Sequence, residues 1–508
     1  MVPETKLSRP RYEFAPAWRR HFLLDHTPKW VWAALYLLLV SAAIYLPRVN
    51  WAYDDPFITY RYAHNLANGF GFVYNPGERV LSTTSPLFAL ILAGVSSLGG
   101  DIPKAANLIG ALSIAAGGLI LFDLANTLAT PRVGWLALIL YPTVPLLHTT
   151  VGSETPLYIA LCLACFAAYL RFSYTWLALF AALAALARPD GLLVVGLLTV
   201  HFFLTRRRTG FPWKPALLFG ALLLGWAVFA SLYFGSPIPA TLATRQHQGL
   251  MAISQPFSQG LIQLAKSKAD SALGLIQAGL ALIGVIYLAC CARQWALFLA
   301  WQLVYLLAYS ALGVTTYFWY YAPLVPGFVV LIALGVSGIG AGIDKTPDRF
   351  PKAPPQLRAA LNIGLSLAVL VIAALQIHAS IIAGRQLDPR QAIYRDLGLW
   401  LKQHTPPGAT IGALEVGIIG YYAERPIFDF AGLIQPEVAR FLSRNTSYMN
   451  AAEYVIQRYK PDILVLNSAS YPDIASADLL SNCRRVQRFS GSSYGYGSDI
   501  EIFDCRTP

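Results

Sequence analysis

Residues 30–46 read WVWAALYLLLVSAAIYL, an uncharged apolar run that follows a basic arm of 29 residues. At 1.5 Å per residue it approaches the hydrocarbon thickness of a bilayer, and no small-x-small exit site follows it, so it reads as a signal anchor rather than a cleaved leader. Runs of the same kind recur along three quarters of the chain. Of the 508 residues 56% are hydrophobic and 13% charged, with a mean hydropathy of +0.51, where a soluble domain carries roughly 25% charge. That composition excludes a soluble, fibrous or disordered protein and leaves a multispanning helical membrane protein. The net charge of +12 comes from basic residues scattered at the ends of apolar runs, so it reports membrane topology and not nucleic-acid binding.

Eleven crossings are expected, at 30–46, 105–127, 133–148, 155–171, 174–187, 190–204, 215–234, 272–291, 295–312, 322–341 and 359–383. With that count, the loops on the side of the arm hold 17 Lys and Arg and the opposite short loops hold 8. The positive-inside rule therefore places the arm (1–29) in the cytoplasm and the tail (385–508) outside a plasma membrane. Residues 86–98 are too short to span and read as a juxtamembrane or re-entrant helix. The stretch 174–204, broken at Ala187-Arg188-Pro189-Asp190, is either a hairpin of two short helices or one Pro-kinked helix. The tail changes composition and reads as a small α/β domain, with an amphipathic helix around Ile393, Leu397 and Leu401 and strands at 410–414 and 461–466. The expected architecture is a polytopic α-helical module (30–384) of about eleven transmembrane helices with an extracytoplasmic α/β domain. Cys162, Cys165, Cys290 and Cys291 fall in spans and read as small core residues, whereas Cys483 and Cys505 fall in the outside tail, where a disulfide is chemically allowed.

The first outer loop, 47–104, carries Asp54-Asp55-Pro56 at its start. Pro56 suits the first position of a helix, Asp55 its N-cap and Gly69 its stop, so a helix of about 12 residues is expected with Ile58, Tyr62 and Leu66 on its apolar face. Capping gives Asp55 a structural job and leaves Asp54 without one, which makes Asp54 the first choice for a catalytic base, with Asp55 second. Arg61 and His64, one and two turns into the helix, are candidates to steady a phosphate while the carboxylate takes a proton from an acceptor hydroxyl. Solvated surface charges are the alternative.

The 27 residues 54–80, DDPFITYRYAHNLANGFGFVYNPGERV, resemble the signature of the GT-C superfamily of integral-membrane glycosyltransferases, in particular the bacterial group that includes mycobacterial terminal arabinofuranosyltransferases and mannosyltransferase-like proteins. The resemblance implies a sugar donor carried on a polyprenyl phosphate, a hydroxyl acceptor on a glycan, lipid or protein, transfer with inversion, and an acidic base in the first outer loop. Gly152-Ser153-Glu154-Thr155-Pro156 resembles the family's second acidic motif, which implies a substrate-positioning or divalent-metal role for Glu154; a helix-dipole carboxylate is the structural alternative. Phe234-Gly235-Ser236-Pro237 through Thr241, followed by Arg245, resembles a family loop that carries a basic residue four positions on, and a basic residue on the outer face is suited to the donor phosphate. Ala240 stands where relatives carry Asn, and Arg245 where they carry Lys. Arg188 and Asp190 flank an outer break where charge is costly unless it is useful. The aromatic run 317–321 reads as an interfacial belt or a stacking surface, and Glu415 and Asp429 read as structural.

No Gly-x-x-x-x-Gly-Lys-Ser/Thr loop occurs, so an ATP-driven pump is not supported. Gly338, Gly340 and Gly342 end a span and read as helix packing. Asn445-Thr446-Ser447 is a glycosylation sequon by pattern alone. The rival function is a transporter or flippase of lipid-linked glycans, for which repeated span patterns or charges within spans are expected.

Overall fold

The structure is a computed structural model describing residues 28–206, 210–344, 354–385, 388–445, 448–468, 471 and 478–506. The basic arm up to residue 27, most of the loop 342–358 and Thr446-Ser447 of the sequon lie outside those residues. Seven helices are long and apolar enough to cross a bilayer by length and composition, among them Ile102–Thr127, Trp213–Phe234 and Ala272–Cys291. The protein is a multi-pass membrane protein. Four of the eleven expected spans are shorter helices. Thr155–Leu170, Tyr174–Ala187 and Gly191–Thr205 have 16, 14 and 15 residues.

The fourth, expected as one span over 133–148, is broken into Pro131–Leu140, a 3-10 turn at Tyr141–Thr143 and Pro145–Thr149. Pro142 and Pro145 each lack the N–H that would continue the helix and clash with the preceding turn. The stretch 174–204 is a hairpin. Tyr174, at the start of its first helix, packs edge-on against Phe202 near the end of its second, with ring centroids 6.0 Å apart, so the two helices run antiparallel. Cys162 and Cys165 are buried as expected, but Cys290 and Cys291 are exposed and face away from the bundle.

The expected loop helix is Pro56–Ala67, and Gly69 follows it at φ +82°, a conformation that favours glycine. Pro86–Ser97 lies against it. The chain then returns to this end of the bundle after Pro355–Arg385, where helix Pro389–His404 precedes a five-stranded sheet. Its strands are β1 Ile411–Ala413, β2 Ile427–Asp429, β3 Ile463–Asn467, β4 Arg484–Phe489 and β5 Ile500–Asp504, in the order β2-β1-β3-β5-β4. β1 pairs parallel with β2 and β3, while β5 pairs antiparallel with β3 and β4. The chain steps from β1 to β2 on one side and then crosses to β3 on the other. The carboxyl ends of β1 and β3 therefore flank the point at which strand order reverses, the usual place for a crevice in such sheets. Cys483 and Cys505 are disulfide-bonded, with Cα atoms 4.1 Å apart.

One apolar cluster unites the first loop with the sheet: Phe57, Tyr60 and Tyr62 pack with Ile393, Leu397, Ile419, Ile427 and Ile502. The loop and the tail therefore share a core.

Candidate active site

Asp54 and Asp55 sit on the connection into Pro56–Ala67, where the loop helix meets the tail. Asp54 is tied to the tail by both carboxylate oxygens: Gly417 N–H donates to Oδ2 at 3.0 Å and Ile418 N–H to Oδ1 at 2.7 Å. Those donors are orphan N–H groups at the start of helix Ile418–Ala423. A Cβ on Gly417 would come within 1.9 Å of the Asp54 carbonyl oxygen, so only glycine allows this approach. Burial pushes the Asp54 carboxyl up to about 6, the two N–H donors pull it down, and Asp55 adds a further upward push.

Asp55 occupies the N-cap position but makes no capping hydrogen bond. Its backbone is already helical, at φ −54° and ψ −44°, so the side chain is turned away from the N–H groups it would cap. Instead Oδ2 accepts from Arg245 Nη2 at 2.6 Å. The capping expected of Asp55 is absent, and it is Asp54 whose carboxylate meets backbone N–H groups, those opening helix Ile418–Ala423. The side chain of Asp55 is 32% exposed, against 9% for Arg245, so the carboxylate faces the open side of the contact.

Arg245 lies in helix Ala240–Leu250. Its Nη1 donates to Tyr317 Oη and, at 3.2 Å, to Gln248 Oε1, and its Cζ stands 4.2 Å from the Tyr317 ring centroid. Asp55 is the largest influence holding the Arg245 guanidinium above its ordinary range against the opposing effect of burial. Tyr317 stacks on Trp319 at 4.4 Å, and Trp319 stacks on Tyr53 at 5.5 Å. The aromatic run 317–321 is therefore a wall of this site rather than a belt set apart from it.

A second charged group lies one layer further in. Arg188, 5% exposed, donates to Asp190 at 2.9 Å and to Tyr309 Oη at 2.7 Å, and approaches Glu154 at 3.5 Å. Tyr309 Oη also donates to Asp190 Oδ2 at 2.8 Å. Burial raises the Glu154 carboxyl and Arg188 opposes it. Glu154 thus meets a cation, and among the described residues no three His, Cys, Asp or Glu side chains are placed to hold a metal ion. The residues present do not fit the metal site expected at Glu154.

Arg61 is displaced from its expected role. Its guanidinium donates to the carbonyls of Tyr74, Gly420 and Arg425 at 3.3, 2.9 and 3.4 Å, which leaves it binding loop to tail and not facing Asp55. His64 lies on the same flank, 6.0 Å from the Tyr421 ring. Asp429 is structural as read, accepting from Ala431, Leu433 and Ile434 N–H.

Glu415 is the residue that sequence reading set aside. It follows β1 at the sheet's carboxyl edge, two residues before Gly417, and among the described residues nothing donates a hydrogen bond or ion pair to it. Burial, then the charge of Asp54, push its carboxyl up to about 8, while Arg390 pulls it down. A carboxylate at the end of a short parallel strand was the available signal.

The chain superposes on the apo structure of ArnT from Cupriavidus metallidurans with a TM-score of 0.61 at 12% identity, covering 94% of this chain and 99% of that one. A structure of that ArnT bound to undecaprenyl phosphate gives 0.59 at 13% identity, covering 94% and 98%. The oligosaccharyltransferase of Archaeoglobus fulgidus, tethered with an acceptor peptide, gives 0.59 at 13% identity, covering 87% and 70%. The chain has the GT-C fold. Residues 380–503 match a family model described as a domain of unknown function (DUF8728). In sequence, the terminal beta-(1->2)-arabinofuranosyltransferase of Mycobacterium tuberculosis (strain ATCC 25618 / H37Rv) is 26% identical over 251 residues, 44% of this chain. That match spans 39% of the curated relative's length.

Proposed function

We propose that this chain is an extracytoplasmic glycosyltransferase that moves a sugar from a polyprenyl-phosphate donor to a hydroxyl of a cell-envelope glycan, lipid or protein. The observation that carries this reading is Asp55: an uncapped, partly exposed carboxylate held against Arg245 where the loop meets the tail, in a GT-C fold. The asymmetric Lys and Arg count and the Cys483–Cys505 disulfide, a bond of oxidising compartments, support a tail outside the membrane and a cytoplasmic N-terminus. Eleven crossings are kept by counting the three short apolar helices and the broken segment as spans. Nucleotide sugars are cytoplasmic, so an outward site calls for a lipid-linked donor.

In the proposed reaction Asp55 accepts the proton of the acceptor hydroxyl as its oxygen bonds to the anomeric carbon. The carbon–oxygen bond to the polyprenyl phosphate breaks, and the phosphate leaves with the electron pair. A single displacement inverts the anomeric centre. Arg245 offsets the charge that grows on the departing phosphate, with a forked geometry suited to two of its oxygens. Asp54 acts by holding the loop on the tail, and Arg188 by fixing Glu154 and Asp190 beneath the site.

The test is transfer of radiolabelled sugar from a panel of polyprenyl-phosphate donors to mixed membrane acceptors by purified protein. Wild type is expected to transfer, Asp55→Asn to lose about 100-fold or more in rate, and Asp54→Asn to keep measurable transfer while folded. Full transfer by Asp55→Asn would remove Asp55 as the base. Saturable lipid binding without transfer from any donor would favour the transporter reading.

A further inference from the structure

Oδ2 of the base proposed above is occupied by Arg245 Nη2 at 2.6 Å, so it is not open to an acceptor hydroxyl. The guanidinium that occupies it is also the cation assigned above to the donor phosphate. Arg245 has one Nη on Tyr317 and Gln248 and the other on Asp55. With its side chain 9% exposed and Tyr317 against its face, the exposed Asp55 is the partner that an incoming anion can replace. Tyr317 and Gln248 hold the guanidinium from behind.

Resting on that reading, we infer that the Asp55–Arg245 pair is a latch: a donor phosphate entering on Arg245 displaces the Asp55 carboxylate, which becomes a competent base only once the donor is bound. Displacement leaves Asp55 without its cation while Asp54, Glu154 and Glu415, each of which feels its charge, stay in place. The freed Oδ2 is then open to the acceptor hydroxyl. Binding is then ordered, with the donor first. Coupling between sites is reciprocal: if phosphate releases Asp55, then the Asp55 carboxylate must weaken the phosphate.

The probe is undecaprenyl phosphate, and the protein is the full chain in nanodiscs, with affinity measured for wild type, Asp55→Asn, Arg245→Gln and the double variant. Asp55→Asn is expected to bind about tenfold tighter than wild type and Arg245→Gln weaker. The gain from Asp55→Asn should vanish in the Arg245→Gln background. Unchanged or weaker binding by Asp55→Asn overturns the latch, as does no binding by wild type. A gain that persists without Arg245 also overturns it, because it would reflect the removal of one negative charge and not competition for the guanidinium. Asp55→Ser repeats the measurement if the Asn variant fails to fold. Turnover is not needed, so a failed transfer assay beside an intact binding cycle would sink the enzyme reading separately.

Discussion

Glu415 has no described partner, yet burial and Asp54 hold its carboxyl near 8. Because its folded value lies above its ordinary one, the proton is bound more tightly in the folded chain. Its contribution to stability is complete below about pH 4.5 and is lost as pH rises through about 8. Glu415→Gln removes that titration. Between pH 5 and 8 the wild type should therefore lose about 2 kcal/mol relative to the Gln variant, a figure reduced for the solvent that still reaches the group. Thermal unfolding in detergent at the two pH values checks this, and a constant difference between the proteins would refute it. The roles of Asp54 and Asp55 were only half legible in sequence. That one of the pair would meet backbone N–H groups followed from Asp-Asp-Pro, but that it is Asp54 depends on Gly417 and Ile418, more than 360 residues away. Arg61 looked free for the same reason, since its carbonyl partners Gly420 and Arg425 lie in the tail.

Helices Ala272–Cys291 and Val325–Asp344 cross at a pair of glycines. A Cβ on Gly284 would meet the Leu331 carbonyl oxygen at 1.9 Å, and one on Gly335 would meet that of Leu280 at 2.0 Å. Close approach of this kind drives helix association where lipid offers no hydrophobic gain. Gly284→Ala must push the backbones apart, and about 2 kcal/mol of destabilisation is expected from overpacking. Gly279, on the first of these helices, has open space around its Cβ position, so Gly279→Ala is the matched control and should leave the unfolding temperature nearly unchanged. Equal effects of the two substitutions would show that the crossing is not the cause. Hydropathy located these helices because long apolar runs are unambiguous. It missed the break at Pro142 and Pro145, since an apolar proline scores as membrane-compatible while removing a helix donor. Of the three glycines read as helix packing, Cβ atoms on Gly338 and Gly340 would meet Tyr287 and Arg132, whereas one on Gly342 would meet open space, so that reading fails at Gly342.

For the whole molecule, the alternation of apolar runs and basic loops conveyed the multi-pass class and the expected orientation, and the change in composition marked the tail. Sheet order and the shared core of loop and tail were not legible, because they depend on pairings across most of the chain. The bridge between Cys483 and Cys505, 22 residues apart, ties the end of β5 to the segment before β4. Reduction should lower the unfolding temperature, the bridge being worth about 3 kcal/mol for a loop of this size. In intact cells treated with a permeant reductant, a membrane-impermeant maleimide should then label these two cysteines if the tail is outside. Labelling that requires lysed cells would reverse the orientation.

The clamp between Asp54 and the Gly417–Ile418 turn also sets a rule for recombination. A chimera that exchanges tails between related proteins separates a carboxylate from the glycine its backbone needs, whatever the quality of either parent. Only crossovers that carry the stretch around Asp54 together with the turn at Gly417 keep the joint intact. The inherited unit is thus a pair of segments more than 360 residues apart, and they should be expected to diverge together.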